Sequence, residues 1–285
     1  MTHTCFDVSV ANHIAHIQLN RPERRNSMIP EFWDELPKII EEIEHRSDVR
    51  VIVISSTGPH FTSGLDTSIF ATNIANKDDS LSAEKLQRIK GIKLYETIAV
   101  MQKTFTCLEQ CRLPVLAAIQ GGAIGGGVDL ITACDLRYMS SDAFITIFEI
   151  NIGMTADVGT FPRICKLLPE GIVKELAFTG RRMSAAEAKN RGLVNEVFDS
   201  HEALIQGVMK VATEIASKAP LAIYGSKRII NFAADHSIAD TLDYIGIWNA
   251  SMLQHDEIQE AMAAGKDKRA GDFVDLPPKR HTLSK

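Results

Sequence analysis

A glycine cluster that follows an apolar run and opens onto three acids constrains this chain more than any other feature. Residues 121–160 read GGAIGGGVDLITACDLRYMSSDAFITIFEINIGMTADVGT. Lacking a Cβ, glycine lets a backbone N–H come close to a ligand oxygen. A helix beginning at the cluster adds free N–H groups and a positive dipole end, both of which favour developing negative charge. Asp129, Glu149 and Asp157 stand among mostly apolar neighbours. Carboxyl groups in such surroundings have raised pKa values, which suits proton transfer near neutral pH. An anion cradle with acids beside it fits proton movement next to a carbonyl.

The rest of the composition narrows the setting. At 285 residues and 45% hydrophobic, the chain can bury a large core, as one domain or one domain with an appendage. A net charge of −5 argues against general nucleic-acid binding. No apolar run approaches the roughly 20 residues that span a bilayer. Cys5, Cys107, Cys111, Cys134 and Cys165 are scattered without a C-x-x-C pair, and the histidines form no H-E-x-x-H, so no metal site is expected. The start shows neither a signal nor a transit pattern. The chain ends Ser-Lys, one residue short of a peroxisomal Ser-Lys-Leu, so a cytoplasmic location is expected.

Read in order, 6–10 and 14–19 are strands joined by a tight turn at Asn12-His13. Ser27 is placed to cap a helix with Pro30 in its first turn, running to about His45 and kinked or broken at Pro37. Strands are expected at 51–55, 115–119, 136–139, 143–148 and 193–197. A long helix is expected over 82–111, preceded by a polar, flexible insertion at 76–82. Short helices are expected at 158–168 and 171–178. Ser184 and Glu187 form a capping box that opens another. From His201 onward the pattern is helical, in pieces at 201–218, 220–235 and 238–264, followed by a basic tail. Strands alternating with helices, then helices alone, predict a layered α/β core over 1–199 and a helical region with a tail over 200–285.

Two short motifs sharpen this. Phe61-Thr62-Ser63-Gly64-Leu65-Asp66 and Gly125-Gly126-Gly127-Val128-Asp129 together resemble the paired oxyanion-hole motifs of the crotonase (enoyl-CoA hydratase/isomerase) superfamily. Asn20-Arg21-Pro22-Glu23 and the run from Pro114 to Ile119 resemble it too, and the resemblance spans about residues 6–262. Within the superfamily the chain looks most like the Δ3,5-Δ2,4-dienoyl-CoA isomerases, on Asp129, Glu149 and Thr155-Ala156-Asp157-Val158-Gly159-Thr160. The resemblance implies a spiral of β-β-α turns with a C-terminal helical region that mediates trimerisation, such trimers commonly pairing into hexamers. It also implies an acyl-CoA thioester substrate and no metal or redox cofactor, coenzyme A arriving as part of the substrate.

Carried over residue by residue, the resemblance places the thioester oxygen on the backbone N–H groups of Leu65 and Gly126. Preorganised donors of this kind are worth roughly 3–4 kcal/mol each in a transition state. Substrate binding is implied at Ser63, Gly64, Leu65, Asp66, Thr67 and Gly126. In the hydratases the positions of Asp129 and Glu149 are both glutamates that handle water, and the position of Asp157 is generally not acidic. The third acid therefore favours isomerisation. Glu149 is expected to remove a proton from C2 and protonated Asp157 to deliver one at C6, while Asp129 orients or tunes Glu149. Arg24, Arg25 and the basic tail are candidates for the CoA phosphates.

Each acid also has a plainer reading. Asp129 falls in a first helical turn, where acids favour the dipole. Glu149 could be a solvated strand end, and Asp157 the N-cap of a helix opening at Val158. An acid some twenty residues past a glycine cluster also fits a dinucleotide fold, though GGAIGGG is not a clean G-x-G-x-x-G. The same motifs would also suit a hydratase, or a non-catalytic RNA-binding or scaffold member of the same fold.

Overall fold

The computed structural model describes residues 3–66 and 83–280. The expected insertion at 76–82 and Thr67 lie outside them. Strands β1 (Phe6–Ala11), β2 (Ile14–Leu19), β3 (Val51–Ser56), β4 (Val115–Ile119), β6 (Leu136–Ser140) and β9 (Glu196–Phe198) form one sheet in the order β1-β2-β3-β4-β6-β9. Strands β5 (Gly122–Ile124), β7 (Phe144–Thr146) and β8 (Met183–Ser184) form a second. The β1–β2 pair is antiparallel, and the other neighbours in the large sheet are parallel. Asn12 and His13 both take positive φ, as a two-residue hairpin turn requires.

Among the described residues the α-helices are α1 (Pro30–Glu44), α2 (Ala83–Gln110), α3 (Gly126–Ala133), α4 (Thr160–Ile164), α5 (Glu170–Thr179), α6 (Ala185–Asn190), α7 (His201–Ala216), α8 (Pro220–Ala233), α9 (Ile238–Met252) and α10 (His255–Asp267). The chain passes from β4 in the large sheet to β5 in the small one, through α3, and back to β6 and then β7. Each such strand–strand–helix turn is one winding of the spiral that the resemblance implied.

β3 and β4 are buried at every position, so their sequences are continuous rather than alternating. Their pleat still separates two cores. Ile52 and Ile54 face a cluster with Phe32, Trp33 and Phe105 of α1 and α2. Val51 and Val53 face Leu204, Val208 and Ala212 of α7. The first C-terminal helix is thus one layer of the sandwich. The expected helix over 238–264 is two, because Leu253 and Gln254 take extended backbone between α9 and α10. Neither residue is a helix breaker, so composition carried no sign of the break.

Pro37 sits inside α1, which runs through it without interruption. A proline has no N–H, so the Trp33 carbonyl one turn earlier loses its helical partner. Thr104 of α2 supplies the replacement: its hydroxyl donates to Trp33 O at 3.0 Å, fully buried. We expect Thr104→Val, nearly isosteric, to lower stability by about 1–3 kcal/mol, because it strands a buried carbonyl. Chemical denaturation of the two proteins measures this, and an unchanged midpoint counts against it.

Ser27 does not cap α1, whose N-cap is Ile29. Its hydroxyl donates instead to Asp66 Oδ2 at 2.8 Å. At α6 half of the capping box forms: Ser184 Oγ accepts from Glu187 N, while the Glu187 carboxylate pairs with Arg181. The tail folds back past the end of α1 and the start of β3, where Lys279 pairs with Glu44 at 2.7 Å and Asp275 with Arg50 at 2.6 Å. Among the described residues, no helix is long and apolar enough to cross a membrane. Cys5, Cys107, Cys111 and Cys134 are pushed up to about 12, chiefly by burial, and Cys165 is exposed.

Candidate active site

The two glycine-bearing motifs are far apart in sequence and are stitched together by backbone. Thr62 bridges Ala123 of β5, donating to Gly122 O at 3.1 Å and accepting from Ile124 N at 3.1 Å. On its other side the same segment bridges the stretch before α1. Met28 N donates to Gly64 O at 2.8 Å, and Asp66 N to Met28 O at 3.1 Å. The loop carrying Leu65 is therefore held as a short extra strand beside the start of α3.

Glycine is required at two points of this junction. Gly64 has φ +81°, and a Cβ there would lie 2.6 Å from Ile124 O and 3.3 Å from Gly126 N. Gly125 has φ +53°, and a Cβ would stand 3.3 Å from Glu149 Oε1. Positive φ disfavours any side chain, and the lack of space compounds it. The glycine at 64 thus lets two strands of backbone touch, and the one at 125 lets the catalytic candidate approach the head of α3. Among the described residues, neither the Leu65 nor the Gly126 N–H donates a hydrogen bond.

Both residues open onto one cavity of about 250 Å³, which Ser63, Gly64, Glu149 and Asp157 also line. Trp33, Met101, Phe148, Ile152, Met154 and Val158 supply most of its apolar wall. Sequence reading missed these six as site residues. Trp33 and Met101 fall on apolar helical stripes, which look the same whether they face a core or a cavity. Larger surface hollows, such as one along β1 and the end of α1, hold neither the glycine motifs nor the three acids.

Glu149 opens a single 3-10 turn, Glu149–Ile152, rather than ending a strand. It is half-buried, and its Oε2 is buried without a hydrogen-bond partner among the described residues. Burial, reinforced by the charges of Asp129 and Asp157, pushes its pKa up to about 7. Asp157 is also raised by burial. It precedes α4, which opens at Thr160 with Gly159 as N-cap, so Asp157 does not cap that helix.

Asp129 does that work. Fully buried, it accepts from Thr160 N through Oδ1 at 2.6 Å. Desolvation raises it to about 6, against the pull of the Thr160 bond and Arg163. It is not among the residues lining the cavity. Its influence on Glu149 runs through charge, and its bond fixes the segment that carries Asp157. Asp66 likewise lies off the cavity wall, its carboxylate accepting from Ser27. Among the basic candidates, Arg25 O accepts from Ser63 N at 2.9 Å, which sets Arg25 beside the cavity-lining loop. Lys279 and Arg269 of the tail are engaged with Glu44 and Glu260.

Comparison with known proteins shows the family and the fold. The profile of the family described as Enoyl-CoA hydratase/isomerase matches residues 9–276. The chain is 43% identical over 262 residues to the mitochondrial Delta(3,5)-Delta(2,4)-dienoyl-CoA isomerase of Mus musculus, covering 92% of this chain and 79% of that protein. It is 41% identical to the peroxisomal Delta(3,5)-Delta(2,4)-dienoyl-CoA isomerase of Arabidopsis thaliana, covering 92% and 93%. Its fold matches the crystal structure of an enoyl-CoA hydratase from Bacillus anthracis with a TM-score of 0.82 at 28% identity, covering 95% of this chain and 99% of that one. The mitochondrial and peroxisomal relatives overturn the cytoplasmic location expected from the termini.

Proposed function

The chain belongs to the enoyl-CoA hydratase/isomerase family, and on that premise we propose that it is an isomerase converting 3,5-dienoyl-CoA to 2,4-dienoyl-CoA in unsaturated fatty acid β-oxidation. One observation carries the choice within the family. Glu149 and Asp157 line the same cavity, while Asp129, which a hydratase reading needs as a second water-handling acid, is turned away to cap α4.

The thioester oxygen sits on the N–H groups of Leu65 and Gly126, which the bridged loops present side by side. Ionised Glu149 takes the C2 proton, and the pair left by the broken C2–H bond spreads onto that oxygen through C1 and over the C3=C4–C5=C6 system to C6. Protonated Asp157 then gives its proton to C6 as the charge returns, leaving C2=C3 and C4=C5. The atoms balance, with one proton removed and one delivered. The acids reset by exchanging a proton with each other or with water. The reading calls for no redox or metal chemistry, and coenzyme A comes with the substrate.

The reading extends to assembly as a homotrimer, or as a hexamer of paired trimers, through the C-terminal helices. In support, α9 has no buried residue, and Ile238, Leu242 and Ile247 stand exposed on it. Apolar surface of that kind is what a subunit interface covers.

The test is a direct comparison of two substrates. We expect 3,5-dienoyl-CoA to be isomerised, followed by the absorbance of the conjugated product, at a rate well above crotonyl-CoA hydration. Hydration without isomerisation would make the chain a hydratase.

A further inference from the structure

We infer that one stripe of α2, made of Gln102, Thr106 and Glu109, is a positioning clamp that fixes Asp157 for the distal proton transfer, acting partly through Arg163. The inference rests on the isomerase reading above. Positions 102, 106 and 109 are spaced four and three apart, so they share one face of the helix. All three hold the segment that carries Asp157. Gln102 Nε2 donates to the Asp157 carbonyl at 2.7 Å. Further along, Arg163 donates to Thr106 Oγ1 at 3.1 Å and to Glu109 Oε2 at 3.1 and 3.2 Å. Between these anchors Gly159 takes φ +127°, a backbone conformation that residues with side chains rarely adopt, and faces the Arg163 guanidinium.

The clamp matters because the Asp157 carboxyl has little else to aim it. Among the described residues its recorded hydrogen bond is through the backbone carbonyl, to Gln102, and not through the carboxyl. The neighbours Ala156 and Val158 are buried and fix the chain path. The Gln102 bond then sets the peptide plane beyond Asp157, and with it the direction in which the side chain leaves the backbone. Asp129 holds the same segment independently, through Thr160 N. Glu149 receives none of these contacts and sits on a separate turn after β7. The two acids of the proposed reaction are therefore positioned by different elements, and the clamp serves only the distal one.

That separation gives a readout which a merely structural role would not move. In deuterated water, Glu149 alone can exchange the C2 hydrogen of bound substrate, whereas product needs Asp157 as well. Gln102 is exposed, so Gln102→Leu should not disturb folding. We expect it to slow product formation about tenfold, as a small misplacement of a reacting group does, while KM and C2 exchange of recovered substrate stay near wild type. The ratio of exchange to product then rises about tenfold. Glu109→Leu should act in the same direction, and Glu109→Gln, which keeps an acceptor for Arg163, should restore most of the rate. Exchange and product formation falling together, or neither changing, would overturn the clamp. A wild-type enzyme that exchanges C2 but makes no 2,4-diene would overturn the isomerase reading itself.

Discussion

Glu149→Gln should lower the isomerisation rate by about 10²–10⁴-fold, the usual contribution of a positioned general base, with little change in ligand affinity. The amide keeps the shape and removes the proton acceptor. The wild-type pH profile follows from the same residue. Burial holds the folded pKa at about 7 against an ordinary glutamate value of 4.5. Glu149 must be ionised and Asp157 protonated for turnover, so kcat/KM should pass through a maximum and fall at both low and high pH, with one limb set by Glu149 at about 7. Stability should also depend on pH through Glu149. Between the ordinary value and about 7 the folded state binds more protons than the unfolded chain, so stability falls as pH rises through that window. The full cost of the ionised carboxylate is at most about 3 kcal/mol, reduced by its partial contact with solvent. Glu149→Gln should therefore be more stable than wild type at pH 8 and nearly equal at pH 4. Equal melting temperatures at both pH values, or wild-type turnover in the variant, would remove Glu149 from the role of buried base.

Asp157→Asn should lose product formation by a comparable factor, about 10²–10⁴-fold, because the group that delivers the C6 proton becomes an amide. The loss should be selective. Substrate binding depends on the apolar wall and the two backbone donors, and C2 proton removal depends on Glu149. The variant should bind a dienoyl-CoA normally and still exchange C2 hydrogen in deuterated water while making almost no 2,4-diene. Loss of exchange along with product would mean that Asp157 acts on the first proton, or that the site collapses without it. Retained turnover would assign the C6 proton to water or to another group.

Much of the fold was legible in local sequence. The apolar runs at β3 and β4, the Asn12-His13 turn and the Ser184 cap were each readable from a few residues, because each depends on neighbours in the chain. Where reading failed, the cause was a distant partner. Pro37 was expected to disturb α1, yet a threonine some seventy residues away satisfies the carbonyl it strands. Ser27 had the chemistry of a cap and was taken by Asp66. β5 was hidden in the glycine cluster because its pairing is with β7 and the Thr62 loop rather than with anything adjacent. The wall residue Trp33 sits on a helical stripe that would look identical in a solid core.

Sequence alone determined which groups are available: two glycine-bearing donor segments, three acids in apolar surroundings, and strands that must be buried on both faces. Those follow from residue type and spacing, which local sterics and hydrophobicity govern. Only the tertiary structure decided how the acids divide. On residue order Asp157 was the cap candidate as well as the expected proton donor, while Asp129 was read only as orienting Glu149 or meeting the dipole of its own helix. Packing gave the Thr160 N–H to Asp129 and left Asp157 on the cavity wall with Glu149. A carboxyl's role is set by what lies within hydrogen-bond reach and by how much water it has lost, and neither is written in the order of residues along the chain.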